Sequence, residues 1–136
     1  MQYVENACLL AGRILIGLYF IIPGMAKITA YEFHVNYMTE HGVPFIDLLL
    51  PLTILLQVGG GLALIIGLKG KPVAFLLAGL VLVISIYMHN FWEMAEGLQR
   101  QHETQNFFKN MGIMAGLLMM VSHGSGRFSL DNKLAK

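Results

Sequence analysis

Four polar residues stand where they could together hold the head group of a ligand. Lys27, His89, Lys109 and Asn110 each fall at one end of a long apolar run, and Trp92 follows His89 closely. We expect these ends to converge in one layer. Such a layer above an apolar interior suits a lipid-soluble molecule such as a quinone, whose carbonyl would accept a hydrogen bond from His89 or Asn110. The other interpretation is that these residues are interfacial anchors that face water.

Two further polar residues, Arg13 and Gln57, lie inside apolar runs. An arginine near the centre of a spanning helix costs about 2.5–3.5 kcal/mol on insertion scales. Counting helix rise puts Gln57 at a depth similar to that of Arg13, so we expect Arg13 to face the interior and to hydrogen-bond Gln57. Alternatively, Arg13 snorkels to the inner surface and reaches Glu5 or a lipid phosphate.

The remaining reactive side chains follow no pattern that predicts a metal site or a catalytic centre. The five histidines show no recurrent metal-binding spacing with carboxylates, and the methionines after Asn110 are interpreted as packing residues rather than a copper site. The single cysteine, Cys8, excludes an internal disulfide and a CxxC motif. The sequence shows no haem, flavin or phosphate-loop motif, so no residue is assigned a catalytic role.

The elements that must position these residues are four apolar runs. Charged residues are 12% and hydrophobic residues 56% of the 136, against about 25% charged in soluble proteins. This composition predicts an integral membrane protein, and the net charge of +1 offers no basic surface to nucleic acid. We predict one membrane domain over 1–136, with spans at about 7–26, 47–68, 72–89 and 107–123. The first run is interpreted as a span rather than a signal peptide.

Short links between the runs favour an all-α, membrane-spanning four-helix bundle in up-down-up-down order. The link at 67–72 and the tail after His123 are basic, whereas the two longer links lean acidic. Because basic loops stay in the cytoplasm, we place both termini inside. We expect short interfacial helices in the two outer links, at 27–45 and 90–106.

Polar and small residues recur on one face of each run at spacings of three and four, which is helical. Small residues let membrane helices approach closely, so we predict that these faces form the bundle interior. The predicted interior positions, run by run, are Arg13, Gly17, Phe20, Gly24 and Lys27; Thr53, Gln57, Gly60, Leu64 and Gly67; Ala78, Leu82, Ser85, His89 and Trp92; and Lys109, Gly112, Gly116, Met119 and His123.

Six segments, in this order, resemble the DoxX family. They are "RILIGLYFIIPGMAKI", "GVP", "GGGLALIIG", "HNFW", "NFFKNMGIMAGLLMM" and "GSGRFSLD". The resemblance covers nearly the whole chain and implies a small four-helix protein of the inner membrane. It also implies that Arg13, Lys27, His89, Lys109 and Asn110 matter for whatever the protein does.

One position departs from the family pattern. Similar proteins usually carry an acidic residue in the second helix where this chain has Gln57, so an expected pair of opposite charges with Arg13 becomes Arg–Gln. This difference puts any proton-transfer role of the position in doubt.

The resemblance implies an accessory or quinone-binding subunit of a membrane redox system, docked to a redox partner protein. The alternative is a non-catalytic scaffold or carrier for a lipid-like small molecule. A quinone reductase acting alone ranks last, because the sequence shows no electron-carrying group. Membrane lipid is the expected surrounding, and a second copy of the chain is a further candidate partner.

Overall fold

Six α-helices and one 3-10 turn make up the computed structural model, which describes residues 1–135, and no strand occurs in that range. The elements are α1 (Gln2–Thr29), α2 (Tyr31–Glu40), α3 (Ile46–Ile66), α4 (Gly70–Met88), the 3-10 turn (Phe91–Glu93), α5 (Leu98–His123) and α6 (Leu130–Leu134). The prediction of an all-α chain is therefore confirmed.

Three helices, α1, α3 and α4, are long and apolar enough to cross a membrane. They coincide with the first three predicted spans. The fourth long helix, α5, has 26 residues, but its first three turns, "LQRQHETQNFF", are mostly polar. Within residues 1–135, α5 therefore falls short of the hydropathy that the other three reach.

The helices pack as two pairs, α1 with α3 and α4 with α5, and α3 touches α4 less extensively. Glycines allow the first pair to approach closely, because a Cβ on Gly17 would lie 2.7 Å from the carbonyl oxygen of Gly61. The two pairs meet in a core around Leu64, Leu77 and Leu117, all fully buried. This core lies on the side of the molecule where a sharp turn joins α3 to α4.

The turn between α3 and α4 depends on Gly67. Its φ of 71° is left-handed, and the N–H of Leu68 reaches back to the carbonyl of Ala63, which closes the end of α3. Lys69 is also left-handed, with φ 48°. The chain then enters α4 at once, so the basic link places the two helix ends side by side.

The predicted interior face is confirmed for α1, where Arg13, Gly17, Phe20 and Gly24 are buried. It is wrong for α5, because Asn110, Leu117 and Met120 are buried while Met119 is 65% exposed. The buried side chains of α5 are the large ones, Leu117 and Met120, rather than the predicted glycines. The buried face of α5 therefore lies one residue further along the helix than predicted. On α4 the buried residue is Val81 rather than the predicted Leu82.

The two outer links differ from each other. The first holds α2, so the prediction of a short helix there is confirmed. The second holds only a 3-10 turn, because α5 begins at Leu98 rather than at 107. Gly97, with φ 154°, lets the chain enter α5 directly after the turn.

Candidate functional site

A cavity of about 820 Å³ lies between the two helix pairs, on the far side of the core from the α3–α4 turn. The helices touch at Gly60, where a Cβ would lie 3.1 Å from the Leu77 side chain, and the cavity begins beyond that contact. Most of its lining is apolar. Its polar lining residues are Tyr19, Lys27, His34, Tyr37, Thr53, Gln57, His89 and Asn110.

One edge of the cavity is formed by exposed apolar residues of α3 and α4. Leu52, Leu76 and Val83 are 43%, 55% and 53% exposed, and all three line the cavity. Gly79 lies between the last two on the same face of α4, with open space where a Cβ would be. The cavity is therefore accessible from the side of the helix bundle as well as from its end.

Asn110 sits at the centre of a hydrogen-bond chain that crosses three helices. The Tyr19 hydroxyl donates to Asn110 Oδ1 at 2.5 Å, and Asn110 Nδ2 donates to Ser85 Oγ at 3.1 Å. Ser85 in turn donates to the carbonyl of Val81. Asn110 is 3% exposed and Ser85 is fully buried. This chain ties α1 to α4 and α5, so the amide of Asn110 already has partners within the protein.

His89 Nδ1 and Glu103 Oε2 lie 2.6 Å apart and form a hydrogen bond, which is an ion pair when the imidazole is protonated. Of the acidic residues at 90–106, Glu103 is therefore the partner of His89. Glu93 instead accepts a hydrogen bond from Asn90. Burial raises the pKa of the nearby Tyr37 hydroxyl, and the carboxylate of Glu103 raises it further. Together these residues place α2, His89 and the start of α5 at one end of the molecule.

Lys27 and Gln57 differ from the other polar residues of the cavity in having almost no protein partner. Lys27 Nζ makes one long contact, 3.5 Å to the carbonyl of Pro23, and no carboxylate of residues 1–135 pairs with it. Gln57 is 4% exposed, and its Oε1 has no hydrogen-bond donor in the part of the chain described. A buried acceptor that has no donor, such as Gln57 Oε1, lowers the stability of the fold by about 1–3 kcal/mol.

Three of the five predicted ligand-binding residues, Lys27, His89 and Asn110, line the cavity, whereas Trp92 and Lys109 do not. The 3-10 turn directs Trp92 away from it, where its ring packs at 5.7 Å on Phe107. Lys109 is exposed, and its Nζ donates to Asn106 on the preceding turn of α5. The expectation that the four polar residues converge is therefore wrong for Lys109, because the buried face of α5 runs through Asn110. Trp92 does not line the cavity beside them either.

A second polar cluster surrounds Arg13 at the opposite end of the molecule, and there the prediction of an Arg13–Gln57 hydrogen bond is wrong. Nη1 of Arg13 donates to the carbonyl of Ser125, and Nη2 donates to the carbonyl of Phe128. The snorkelling alternative is wrong too, because Arg13 is 1% exposed. Gln57 instead packs beside Gly24, about three helical turns away along α1.

Asp131 belongs to the same cluster and accepts three hydrogen bonds there. Its carboxylate accepts the backbone N–H groups of Lys69 and Gly70, at 2.6 and 2.9 Å, and the hydroxyl of Ser125 at 2.8 Å. Burial by itself would raise the pKa of Asp131, but these hydrogen bonds and the charge of Arg13 hold that pKa below its usual value. The segment after α5 is thereby fastened across the α3–α4 turn.

The N-terminal part of α1 joins this cluster as well. Asn6 Oδ1 accepts the backbone N–H of Arg127 at 2.9 Å, and the N–H of Asp131 donates to the carbonyl of Gly67. The start of α1, the basic turn and the C-terminal segment therefore meet at one end of the molecule. The cavity polar groups lie toward the other end.

Sequence reasoning assigned no role to Tyr19 or Asp131. A tyrosine far from the ends of an apolar run was the available signal for Tyr19, since a buried hydroxyl needs a partner. For Asp131 the signal was a lone acidic residue in a basic tail, "GSGRFSLD". Within residues 1–135, no group of three or more His, Cys, Asp or Glu side chains is placed to hold a metal ion.

Comparison with known proteins gives consistent similarities over the whole chain. Residues 8–90 match the model of a family described as DoxX. Inner membrane protein YqjF of Escherichia coli (strain K12) is 37% identical over 136 residues, which are 100% of this chain and 98% of that protein. Inner membrane protein YphA of the same organism is 30% identical over 92% of this chain and 89% of its own length.

A more distant similarity reaches a eukaryotic protein. ER-derived vesicles protein ERV29 of Saccharomyces cerevisiae is 28% identical over 92% of this chain, which corresponds to 33% of its own length. No solved structure gives a significant match.

Proposed function

The chain belongs to the DoxX family, and we propose that this integral inner-membrane protein binds a lipid-soluble molecule of the quinone class in its cavity. In this proposal it is a quinone-binding accessory subunit of a membrane redox system, and a partner protein supplies the electron carrier. The observation that carries the proposal is a mostly apolar cavity of about 820 Å³ with few convergent polar groups. Small-molecule sites typically measure about 300–1,000 Å³ and have this composition.

The side opening supports a ligand that arrives through the bilayer. Leu52, Leu76 and Val83 are exposed in the isolated chain, and in a membrane such residues face acyl chains. A ligand with an isoprenoid or alkyl tail could leave that tail among the lipids while its head group enters the cavity. The polar groups at the cavity end then fix the head group.

We propose that α1, α3, α4 and α5 form a four-helix bundle that crosses the membrane in up-down-up-down order. The polar first turns of α5 would lie at the outer boundary, next to α2. Both termini and the α3–α4 turn would lie in the cytoplasm, because the cluster around Arg13 unites them at one end and that end carries Lys69, Lys71 and Arg127.

A titration of the purified protein with decyl-1,4-benzoquinone tests the proposal, and Gly79→Phe is the decisive variant. Gly79 lines the cavity at its open edge, and a Cβ there meets nothing within 4 Å, so a phenyl group can fold inward and fill the space. The matched control is Gly112→Phe, another exposed helical glycine with nothing within 4 Å, but outside the cavity lining. We expect at least tenfold weaker binding for Gly79→Phe and unchanged binding for Gly112→Phe.

Solvent extraction of the purified protein, read by ultraviolet spectrum and mass, identifies a bound natural ligand. Quinone at a stoichiometric level supports the proposal. Stoichiometric lipid of another kind in the same cavity would instead support the carrier or scaffold alternative. Equal affinities of the two phenylalanine variants and the wild type would show that the cavity does not bind the quinone.

A further inference from the structure

We propose that the cavity also binds the carboxylate of a single-chain lipid, of the fatty-acid class, and that Lys27 recognises its negative charge. This inference goes beyond the proposed function, because a quinone is neutral and the second ligand class is an anion. Both ligands would occupy the same cavity, so each is expected to exclude the other.

The ammonium of Lys27 is folded back over its own helix instead of extending past the end of α1. Nζ lies 3.5 Å from the carbonyl oxygen of Pro23, which is one helical turn earlier. A lysine that anchors a helix at the membrane surface extends its ammonium outward, toward water and lipid phosphates. Lys27 is half-buried and keeps its charge in the wall of a mostly apolar cavity. The position of its ammonium therefore favours a binding role over an anchoring role.

No acidic side chain balances this charge within residues 1–135. The cavity lining in that range contains no aspartate or glutamate, and no carboxylate there forms an ion pair with Lys27. Thr53 and Gln57, which line the α3 wall, are neutral. Because an unpaired cation in apolar surroundings is costly, an anionic ligand stabilises Lys27 more than a neutral ligand does.

The histidines of the lining, His34 and His89, do not oppose an anion, because an imidazole is either neutral or positive. Nδ1 of His34 contacts the carbonyl of Ala30, and Nδ1 of His89 contacts Glu103. Glu103 is thus engaged with His89, and its carboxylate does not line the cavity. The ionisable groups around the cavity therefore favour a negative ligand over a positive one.

The charge and the shape of the cavity together indicate a carboxylate on one alkyl chain. Lys27 is the one lysine or arginine of the lining within residues 1–135, so it balances a single negative charge. The rest of the lining is mostly apolar, and the exposed edge at Leu52, Leu76 and Val83 opens toward the lipid. A single alkyl chain can pass through this edge while its carboxylate meets Lys27.

Calorimetric titration of the purified protein with dodecanoate and with dodecanamide, at pH 8 in a non-ionic detergent, tests the inference. The two ligands share the same chain and a head group of similar shape, but only dodecanoate is charged. We expect Lys27→Met to bind dodecanoate at least tenfold more weakly than the wild type does, which corresponds to about 1.4 kcal/mol. Binding of dodecanamide should be unchanged. Comparing two proteins with the same ligand cancels the partition of that ligand into detergent.

Two further variants assign the effect to the charge at this position. Lys27→Arg keeps the charge and should recover most of the affinity for dodecanoate. Lys109→Met removes an exposed lysine outside the cavity lining, so it should bind both ligands as the wild type does. Unchanged binding of dodecanamide also shows that Lys27→Met retains its fold.

Three results would overturn the inference. The first is an equal affinity of the wild type and Lys27→Met for dodecanoate. The second is an equal loss of both ligands in Lys27→Met, which would mean that the charge is not what the site recognises. The third is a loss of dodecanoate binding in Lys109→Met as large as in Lys27→Met, which would mean attraction by surface charge alone.

The same titrations separate this inference from the proposed function. If decyl-1,4-benzoquinone binds in a manner sensitive to Gly79→Phe but dodecanoate does not bind, the quinone proposal stands and the role of Lys27 is refuted. If dodecanoate binding depends on Lys27 and is weakened by Gly79→Phe while the quinone does not bind, this inference stands and the quinone proposal is refuted.

Discussion

Nη2 of Arg13 donates a hydrogen bond to the backbone carbonyl of Phe128, which joins the first helix to the C-terminal segment. Nη1 makes the equivalent bond to Ser125. Because Arg13 is 1% exposed, the charge is stabilised by protein carbonyls rather than by lipid phosphates or water. The negative charge of Asp131 acts on Arg13 through space, and the two residues form no direct ion pair.

Replacing Arg13 with methionine should therefore destabilise the protein by about 2 kcal/mol or more. The guanidinium donates two short hydrogen bonds and a longer one to Ile65, and all three are lost. A hydrogen bond from a charged donor is worth about 1.5–3 kcal/mol, and removing a buried charge offsets part of the loss. The C-terminal segment should be released. Thermal unfolding in detergent measures the first effect, and trypsin cleavage after Arg127 measures the second. Leu15→Met on the exposed side of α1 is the control. Unchanged cleavage would mean that Arg13 does not hold the segment.

The sequence was sufficient to place Arg13 in the interior but not to identify its partners. Spacing put Arg13 on the same face as Gly17 and Phe20, and all three are buried. The partners are carbonyls of the tail, and backbone carbonyls carry no signal in a sequence. The depth estimate for Gln57 was wrong because it ignored how α1 and α3 align: the Gly17–Gly61 contact sets Arg13 beside Ile65, about 12 Å along α3 from Gln57.

The residues that line the cavity were also predictable in part, from their positions along the apolar runs. Lys27, His89 and Asn110 stood at the ends of apolar runs, and they line one cavity. Trp92 was misplaced because the geometry of a short turn, not helical spacing, decides where its ring points. The side opening could not be read from the sequence at all, since it depends on how far α3 and α4 diverge beyond Gly60.

Asp131 makes the stability of the protein depend on acidity. Its pKa in the folded state lies below the ordinary value of 3.8, so its contribution is complete above about pH 4 and is lost as the pH falls through the folded value. Asp131→Asn cannot ionise and should be less stable than the wild type at pH 7. We expect the difference in melting temperature to shrink as the pH falls below about 4. A constant difference across that range would show that the charge of Asp131 does not contribute.

Close contact between Gly70 and Ser125 allows a steric test of the same cluster. A Cβ on Gly70 would lie 1.9 Å from Ser125 Oγ, so Gly70→Ala must either turn this hydroxyl away from Asp131 or displace the segment that carries Ser125. We expect a loss of about 1–3 kcal/mol, as for other overpacked sites. Gly12→Ala is the matched control, because nothing lies within 4 Å of its Cβ.

The double variant Gly70→Ala with Ser125→Ala distinguishes a steric effect from a general effect on the helix. Removing Oγ relieves the clash, so the two changes together should cost less than the sum of the single changes. If the loss of stability of the double variant equals the sum of the losses of the two single variants, the contact between Gly70 and Ser125 is not close.

Asn110 is expected to contribute to stability and not only to ligand binding. Its two side-chain hydrogen bonds, to Tyr19 and Ser85, are buried. Asn110→Ala would leave both hydroxyls without these partners and should cost about 2 kcal/mol in the absence of ligand. Tyr19→Phe removes one of the two bonds and should cost less. If Asn110→Ala melts at the wild-type temperature, the chain of hydrogen bonds across the three helices does not support the fold.

The proposed orientation predicts which positions react with an impermeant thiol reagent in sealed cells. Cys8 is exposed and is first replaced by serine, so that a single new cysteine reports each site. Lys71→Cys and Lys133→Cys lie at the end where the Arg13 cluster gathers the basic segments, and these should stay unlabelled until the cells are permeabilised. Glu96→Cys, exposed in the link before α5, should react in intact cells. Labelling of Lys71→Cys with protection of Glu96→Cys would reverse the orientation, and labelling of both in sealed cells would mean that the α4 helix between them does not cross the membrane.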